Sequence, residues 1–230
     1  MTRPLLHRLA LWLAVALPAP GACLAADDFS EAEQALFIDP QLAGVSPPAT
    51  LHYRYRKSGT LEAGFDDDVN VTLSRQPDGS CCLAHTEFLS PTRRVQLPDI
   101  ESAQGNPVIL SFLERDIHEM QRLTKGQHNY FRKRIRMAVY EGATIRELKR
   151  PYRDGQVTVR EISIAPYLDD PMRSRFETLA GKRYVFSLSK EVPGGVYALR
   201  SWVAAEAQGA EPLLVEELQA DGVPPTPREP

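Results

Sequence analysis

Apolar and polar residues alternate along most of this chain with the two-residue period of strands that bury one face. Leu51, Tyr53 and Tyr55 take turns with His52, Arg54 and Arg56, and Val69, Val71 and Leu73 with Asn70, Thr72 and Ser74. Gly59 and Gly64 bracket the turn between these runs, and Asp78-Gly79 is a hairpin signal leading into a third strand over residues 80–89. The pattern returns at residues 144–148 and 157–164, then at 183–188 and 196–203 across a Pro193-Gly194-Gly195 turn, and last at 213–218. Between Val159 and Ile162 the apolar phase slips by one, which predicts a β-bulge near Arg160-Glu161.

The period changes at Gly105. Asn106 is a good helix cap and Pro107 a preferred first residue, and Ile109, Phe112, Leu113, Ile117, Met120 and Leu123 follow as an apolar stripe that Gly126 closes. Glu114, Arg115, His118, Glu119 and Arg122 make up the opposite face, with Arg115–Glu119 and Glu114–His118 as i,i+4 pairs. A second helix is expected over residues 130–140 with Asn129 as its cap, in preference to a strand through Ile135, Met137 and Val139. A short helix runs from Asp170-Pro171 to Leu179 and stops at Gly181.

About eight strands with a long helix inserted mid-chain predict an α+β fold. A curved antiparallel sheet, a half-open barrel, wraps the amphipathic helix, because a sheet of this size must bury one face. The organisation is a lead-in segment at residues 26–49 broken by Asp39-Pro40 and Pro47-Pro48, one domain at 50–220, and a Pro-rich disordered tail at 221–230.

Residues 1–25 read as a secretory signal peptide. Arg3, His7 and Arg8 precede the apolar run 9–17, and Cys23 and Ala25 satisfy the small-x-small rule for a cut after Ala25. Nine apolar residues at about 1.5 Å each fall well short of a bilayer core of roughly 30 Å, which argues against a spanning helix. Pro20 stands where lipid-attachment sites usually carry Leu, which argues against an outer-membrane lipoprotein anchored through Cys23. The expected location is the periplasm, with membrane contact at most peripheral.

Composition adds exclusions. Cleavage removes two positive charges and takes the formal charge from −3 to −5, so the domain has no global electrostatic reason to bind nucleic acid. Cys81 and Cys82 are the cysteines that remain; side chains of neighbours on a strand diverge, so they read as one buried and one half-exposed thiol rather than an ordinary disulfide. A metal site uniting Cys81 with His85 is disfavoured by the roughly 13 Å between them along a strand.

The remaining chemical candidates each have a plainer reading. Glu114, His118 and Glu119 offer a single histidine where zinc proteases use two, four residues apart, and read as a solvated helix face. Asp66, Asp67 and Asp68 suit a hard cation but read as a charged loop before a strand. Arg132, Lys133, Arg134 and Arg136, flanked by Tyr130 and Phe131, form the densest basic feature and would suit an anionic lipid headgroup or an acidic envelope partner. No nucleophile elbow, phosphate loop, metal set or cofactor motif is legible.

In element order over residues 50–218, and in the hairpin 182–203, the chain remotely resembles the periplasmic lipoprotein-carrier fold of the Lol family. Segments GNPVILSFLERDIHEM and NYFRKRIRM look like parts of an uncharacterised family of proteobacterial exported proteins. The first resemblance implies a half-open barrel lined with apolar side chains and plugged by helices; no functional residue carries over, since no Lol-specific motif matches. The expected function is periplasmic binding of a hydrophobic ligand, a lipid or an acylated protein, without a cofactor. Tyr53, Tyr55, Val71, Tyr184, Phe186, Tyr197 and Leu199 would line the groove. A cell-envelope hydrolase or metal-dependent enzyme is the alternative, as is an interaction domain whose groove the helix stripe fills.

Overall fold

The computed structural model describes residues 29–94, 97–207 and 209–226. Residues 1–25, expected to be a signal peptide, and Cys23 among them lie outside the described residues. Eight antiparallel strands form one open sheet: β1 (Ala49–Ser58), β2 (Phe65–Arg75), β3 (Cys81–Phe88), β4 (Thr144–Tyr152), β5 (Gly155–Ile164), β6 (Arg183–Leu188), β7 (Val196–Val203) and β8 (Leu214–Ala220). Their order is β3-β2-β1-β8-β7-β6-β5-β4, so the two edges do not meet and the sheet is not a closed barrel. It curls nonetheless. Strands about 4.8 Å apart would put β4 roughly 19 Å from β8 in a flat sheet, yet Arg153 N–H donates to Gly222 O at 2.8 Å, and the Tyr197 hydroxyl to Pro151 O at 2.8 Å.

β3 and β4 are consecutive strands on opposite edges, so the chain between them must cross a sheet face. Helices α2 (Val108–Thr124) and α3 (His128–Glu141) make that crossing. The Asn106 side-chain oxygen accepts from Val108 N–H at 3.1 Å, the capping role expected of it. Lys125, in the left-handed region at φ 58, ends the helix one residue before Gly126. The stripe residues Ile109, Phe112, Leu113, Ile117 and Met120 are buried in one continuous core with the sheet's inner face. A short helix, α1 (Glu31–Glu33), continues as a π-type turn over Gln34–Ile38 behind a Ser30/Glu33 capping box. Between β5 and β6 the expected helix is replaced by two 3₁₀ turns, Arg173–Arg175 and Glu177–Gly181.

Three local expectations are corrected. β5 carries no bulge at Arg160-Glu161: it pairs without a break to β4, and the phase slip instead buries Glu161 between Arg146 and Arg150, each 2.8 Å away. Irregularities fall at Ser74/Arg75 and Ser187/Leu188. Cys81 and Cys82 are not separate thiols but are joined as a vicinal disulfide. Residues 221–226 are ordered; Val223 is buried, and the Thr226 hydroxyl donates to Glu217 at 2.9 Å.

Candidate functional site

All seven residues expected to line an open groove are buried at 7 % exposure or less. Val71, Phe186 and Leu199 are core residues, and the tyrosine hydroxyls reach specific partners. Tyr53 accepts from the Asn106 side-chain amide at 2.7 Å, Tyr55 donates to Glu216 at 2.6 Å, Tyr184 to Asp116 at 2.6 Å, and Tyr197 to the Pro151 carbonyl. The physical reason is the α2 stripe, which fills the space these side chains enclose.

Strand register explains what else lies beneath α2. Tyr55, Leu218, Leu199, Phe186 and Ile162 are successive cross-strand partners and form an apolar row; beside it Lys57, Glu216, Ser201, Tyr184 and Ile164 form a row that is mostly polar. Arg115 and Asp116 point down into the polar row. Lys182 pairs with Asp116 and lies 3.6 Å from Glu216, which Arg115 reaches at 3.2 Å. Ser201 donates to Asp116 at 3.2 Å, and Arg115 Nε to the Tyr55 hydroxyl at 3.1 Å. The chain of charges continues outward through Lys57–Glu119 at 3.3 Å and Lys57–Glu62 at 2.7 Å, to Arg122.

Lys182, Asp116 and Glu216 are each at most 1 % exposed, so these charges persist only because they are paired and hydrogen-bonded. Burial raises the Asp116 carboxyl above its ordinary value, and Lys182 offsets this only in part. Burial also works to raise Glu216, but Lys182 and Arg115 outweigh it and hold that carboxyl low. Desolvation opposes the Lys182 charge, but Asp116 and Glu216 carry its pKa upward. Arg115 and Glu119, expected on a solvated face, therefore bind α2 to the sheet, and Asp116 interrupts the apolar stripe to do the same.

An open groove does exist, elsewhere. It has a volume of about 900 Å³ and lies between the segment 35–44, the β5 residues Thr158 and Arg160, and the β6–β7 turn. Ala35, Ala43, Leu188, Val192 and Pro193 supply an aliphatic side, while Glu147, Arg160 and Lys190 supply charge. Gly194 and Gly195 have φ of +76 and +74, which glycine adopts without strain. Their bareness lets the turn lie against Leu51, Asn106 and Gln41, where a Cβ would collide. Gln41 fixes the other wall: its amide donates to the Ala35 carbonyl at 2.8 Å and its oxygen accepts from Asn106 N–H at 2.8 Å. None of the seven expected residues lines this groove.

The basic cluster on α3 divides. Arg132 forks onto Glu114 at 2.8 and 3.0 Å, and Arg134 pairs with Asp170 at 2.7 Å and donates to Pro166 O at 3.0 Å. Lys133 and Arg136 are exposed. Of the metal-type candidates, Asp66, Asp67 and Asp68 lie within β2 rather than in a loop, so their side chains alternate between faces. Asp66 pairs with Arg56 at 2.8 Å while Asp67 accepts from Ser90 at 2.9 Å. His85 pairs with Asp99 at 2.6 Å. His128, at the start of α3, comes to Glu114 and His118 on α2, with ligand-type atoms of all three within 4.8 Å. Burial, followed by the neighbouring His118 and Arg132 charges, lowers the His128 pKa below its ordinary value.

No protein-family model matches the chain, and no curated protein matches it. A solved structure that it matches is the Mycobacterium tuberculosis lipoprotein LppX, at 11 % identity over 78 % of this chain and 90 % of that one, with a TM-score of 0.31. A superposition this loose leaves the likeness to lipoprotein folds remote and supports no inference about the ligand. What the chain itself shows is an open, eight-stranded antiparallel sheet carrying a few helices.

Proposed function

We propose that this is an exported, periplasmic binding protein for an amphipathic ligand, an acyl chain bearing a polar group, held in the groove between segment 35–44 and the β6–β7 turn. The observation that carries this reading is the groove itself. Its volume of about 900 Å³ falls within the roughly 300–1,000 Å³ of small-molecule sites. Its aliphatic side suits a hydrocarbon chain; of its two cations Arg160 is paired with Glu31, which leaves Lys190, among Asp39, Glu147 and Glu191, to meet a polar end. The location rests on the signal-peptide reading of residues 1–25. Magnitudes weigh against entry beneath α2: lifting it exposes six buried apolar side chains at about 1.5–3 kcal/mol each, as much as the 5–15 kcal/mol that holds a whole domain folded.

The test is to purify the protein from its native envelope and analyse extracted lipids by mass spectrometry, beside Gly44→Trp. Gly44 lines the groove and a Cβ there meets nothing within 4 Å, so tryptophan adds bulk at the groove wall without a backbone clash. The expected result is an enriched acyl species in the wild type that Gly44→Trp lacks. No species above a control protein, or equal recovery from both, refutes the groove.

A further inference from the structure

We propose that Glu114, His118 and His128 form a binding site for a divalent transition metal of the zinc type, which clips α2 to α3. Ligand-type atoms of the three residues lie within 4.8 Å of one another, and an imidazole–imidazole–carboxylate set suits zinc, copper or nickel rather than calcium or magnesium. Glu114 and His118 are one helical turn apart and so share a face of α2, while His128 is delivered by the tight Lys125–Gln127 connection. The His118 and His128 rings are 4.6 Å apart between centroids. The independent sign is His128 Nε2, which is buried, makes no hydrogen bond, and faces Glu114 Oε2 at 3.6 Å. A buried ring nitrogen with no partner is costly, and a metal ion would satisfy it. Arg132 grips both oxygens of Glu114; it would orient the carboxylate as an outer partner, and its charge would weaken binding. Three protein ligands leave a fourth position for water or a group from a partner. The site stands apart from the groove and does not depend on it.

The test is titration of zinc sulfate into the untagged, disulfide-bonded chain after EDTA treatment, followed by calorimetry and thermal melting. The expected result is one equivalent bound, with a rise in thermal midpoint of roughly 5 °C at a hundredfold excess over Kd. His118→Ala and His128→Ala should each weaken binding at least tenfold, and His52→Ala should leave it unchanged. His118 is exposed, so its variant folds and decides the matter if His128→Ala does not. Absence of saturable zinc binding, or binding insensitive to His118→Ala, overturns the proposal.

Discussion

Replacing Lys182 with Met removes one of the two cations, Lys182 and Arg115, that balance Asp116 and Glu216 beneath α2. Methionine fills most of the lysine's volume, so the perturbation is mainly electrostatic. It leaves two carboxylates against a single guanidinium in a region where Asp116 and Glu216 are 1 % exposed. Breaking a buried ion pair from one side costs about 3–5 kcal/mol, which for a domain of this size corresponds to a fall in thermal midpoint of roughly 6–20 °C. The companion variant Lys182→Met/Asp116→Asn restores the balance, with Arg115 facing Glu216 alone. Its amide keeps both contacts: the oxygen accepts from Tyr184, and the NH2, in place of the other carboxylate oxygen, donates to the Ser201 hydroxyl, which in the wild type donates to Asp116. That pair of changes should cost about 2 kcal/mol or less, because removing both members of a buried pair avoids the uncompensated charge. Urea unfolding followed by circular dichroism at pH 7 measures both. A single variant that loses less than about 1 kcal/mol would show that Asp116 takes up a proton at little expense. A double variant as damaged as the single one would show that lost packing, not charge, is the cause.

Three further outcomes follow from the same geometry. Asn106→Ala removes the cap on α2 and the hydrogen bonds to Tyr53 and Gly194; it should cost about 2–3 kcal/mol in urea unfolding, and a loss below about 1 kcal/mol would mean that this junction is slack. Gly194→Ala meets both a left-handed backbone and the Leu51 side chain and should destabilise by more than about 1 kcal/mol, whereas Gly44→Ala should leave the melting temperature within a degree or two. Glu119 is held at about 2 against an ordinary 4.5, burial being outweighed by its hydrogen bond to Arg122 and the Lys57 and Arg115 charges. Because the folded value is the lower one, the carboxylate's stabilisation, at most about 3 kcal/mol, is complete above pH 4.5 and lost as pH falls towards 2. Asp116 is shifted upward and acts in the opposite sense, so the comparison is between wild type and Glu119→Gln, whose unfolding free energy should vary less over that window; equal slopes would remove Glu119 from the account.

The period-two pattern was enough to find strands such as β1, β2 and β8, which bury alternate residues, and the stripe behind Asn106 was enough to find α2. Pairing geometry was not legible. The slip between Val159 and Ile162 reads as a bulge on one strand considered alone, but β5 pairs without a break, so Val157, Val159 and Glu161 share the face opposite Ile162, where Arg146 and Arg150 on the neighbouring strand cover the carboxylate. The buried network did leave a trace. Asp116 falls within the apolar stripe between Leu113 and Met120, and Glu216 takes the inward phase between Leu214 and Leu218. A carboxylate at an inward position calls for a buried cation, yet only the packing of α2 and of the residue before β6 onto the sheet shows that Arg115 and Lys182 converge there. His128 stayed hidden for a similar reason: its closeness to Glu114 and His118 depends on how α3 folds back on α2. The groove was missed because residues 35–44 have no periodicity, and their position is set by long-range contacts: Leu36 and Leu42 in the core, and the hydrogen bonds of Gln41 and of Leu42 N–H.

The proposed binding site is thereby moved from the middle of the sheet to its end. A stripe of large apolar residues facing rows of tyrosines looks, in sequence, like two walls of a binding cavity. In the fold the two walls are in contact, and a row of ion pairs holds them there. Buried ion pairs add little net stability, but they fix one docking position, since sliding α2 along the sheet would leave Asp116 or Glu216 without a cation. The segment 35–44 is held by fewer buried side chains, Ala35, Leu36 and Leu42, together with hydrogen bonds through Gln41 and Leu42 N–H and close contact with the bare backbone of Gly194 and Gly195. It is the less expensive wall to move. A ligand that needs room would, on the proposed reading, gain it at the groove, while α2 stays docked on the inner face of the open sheet.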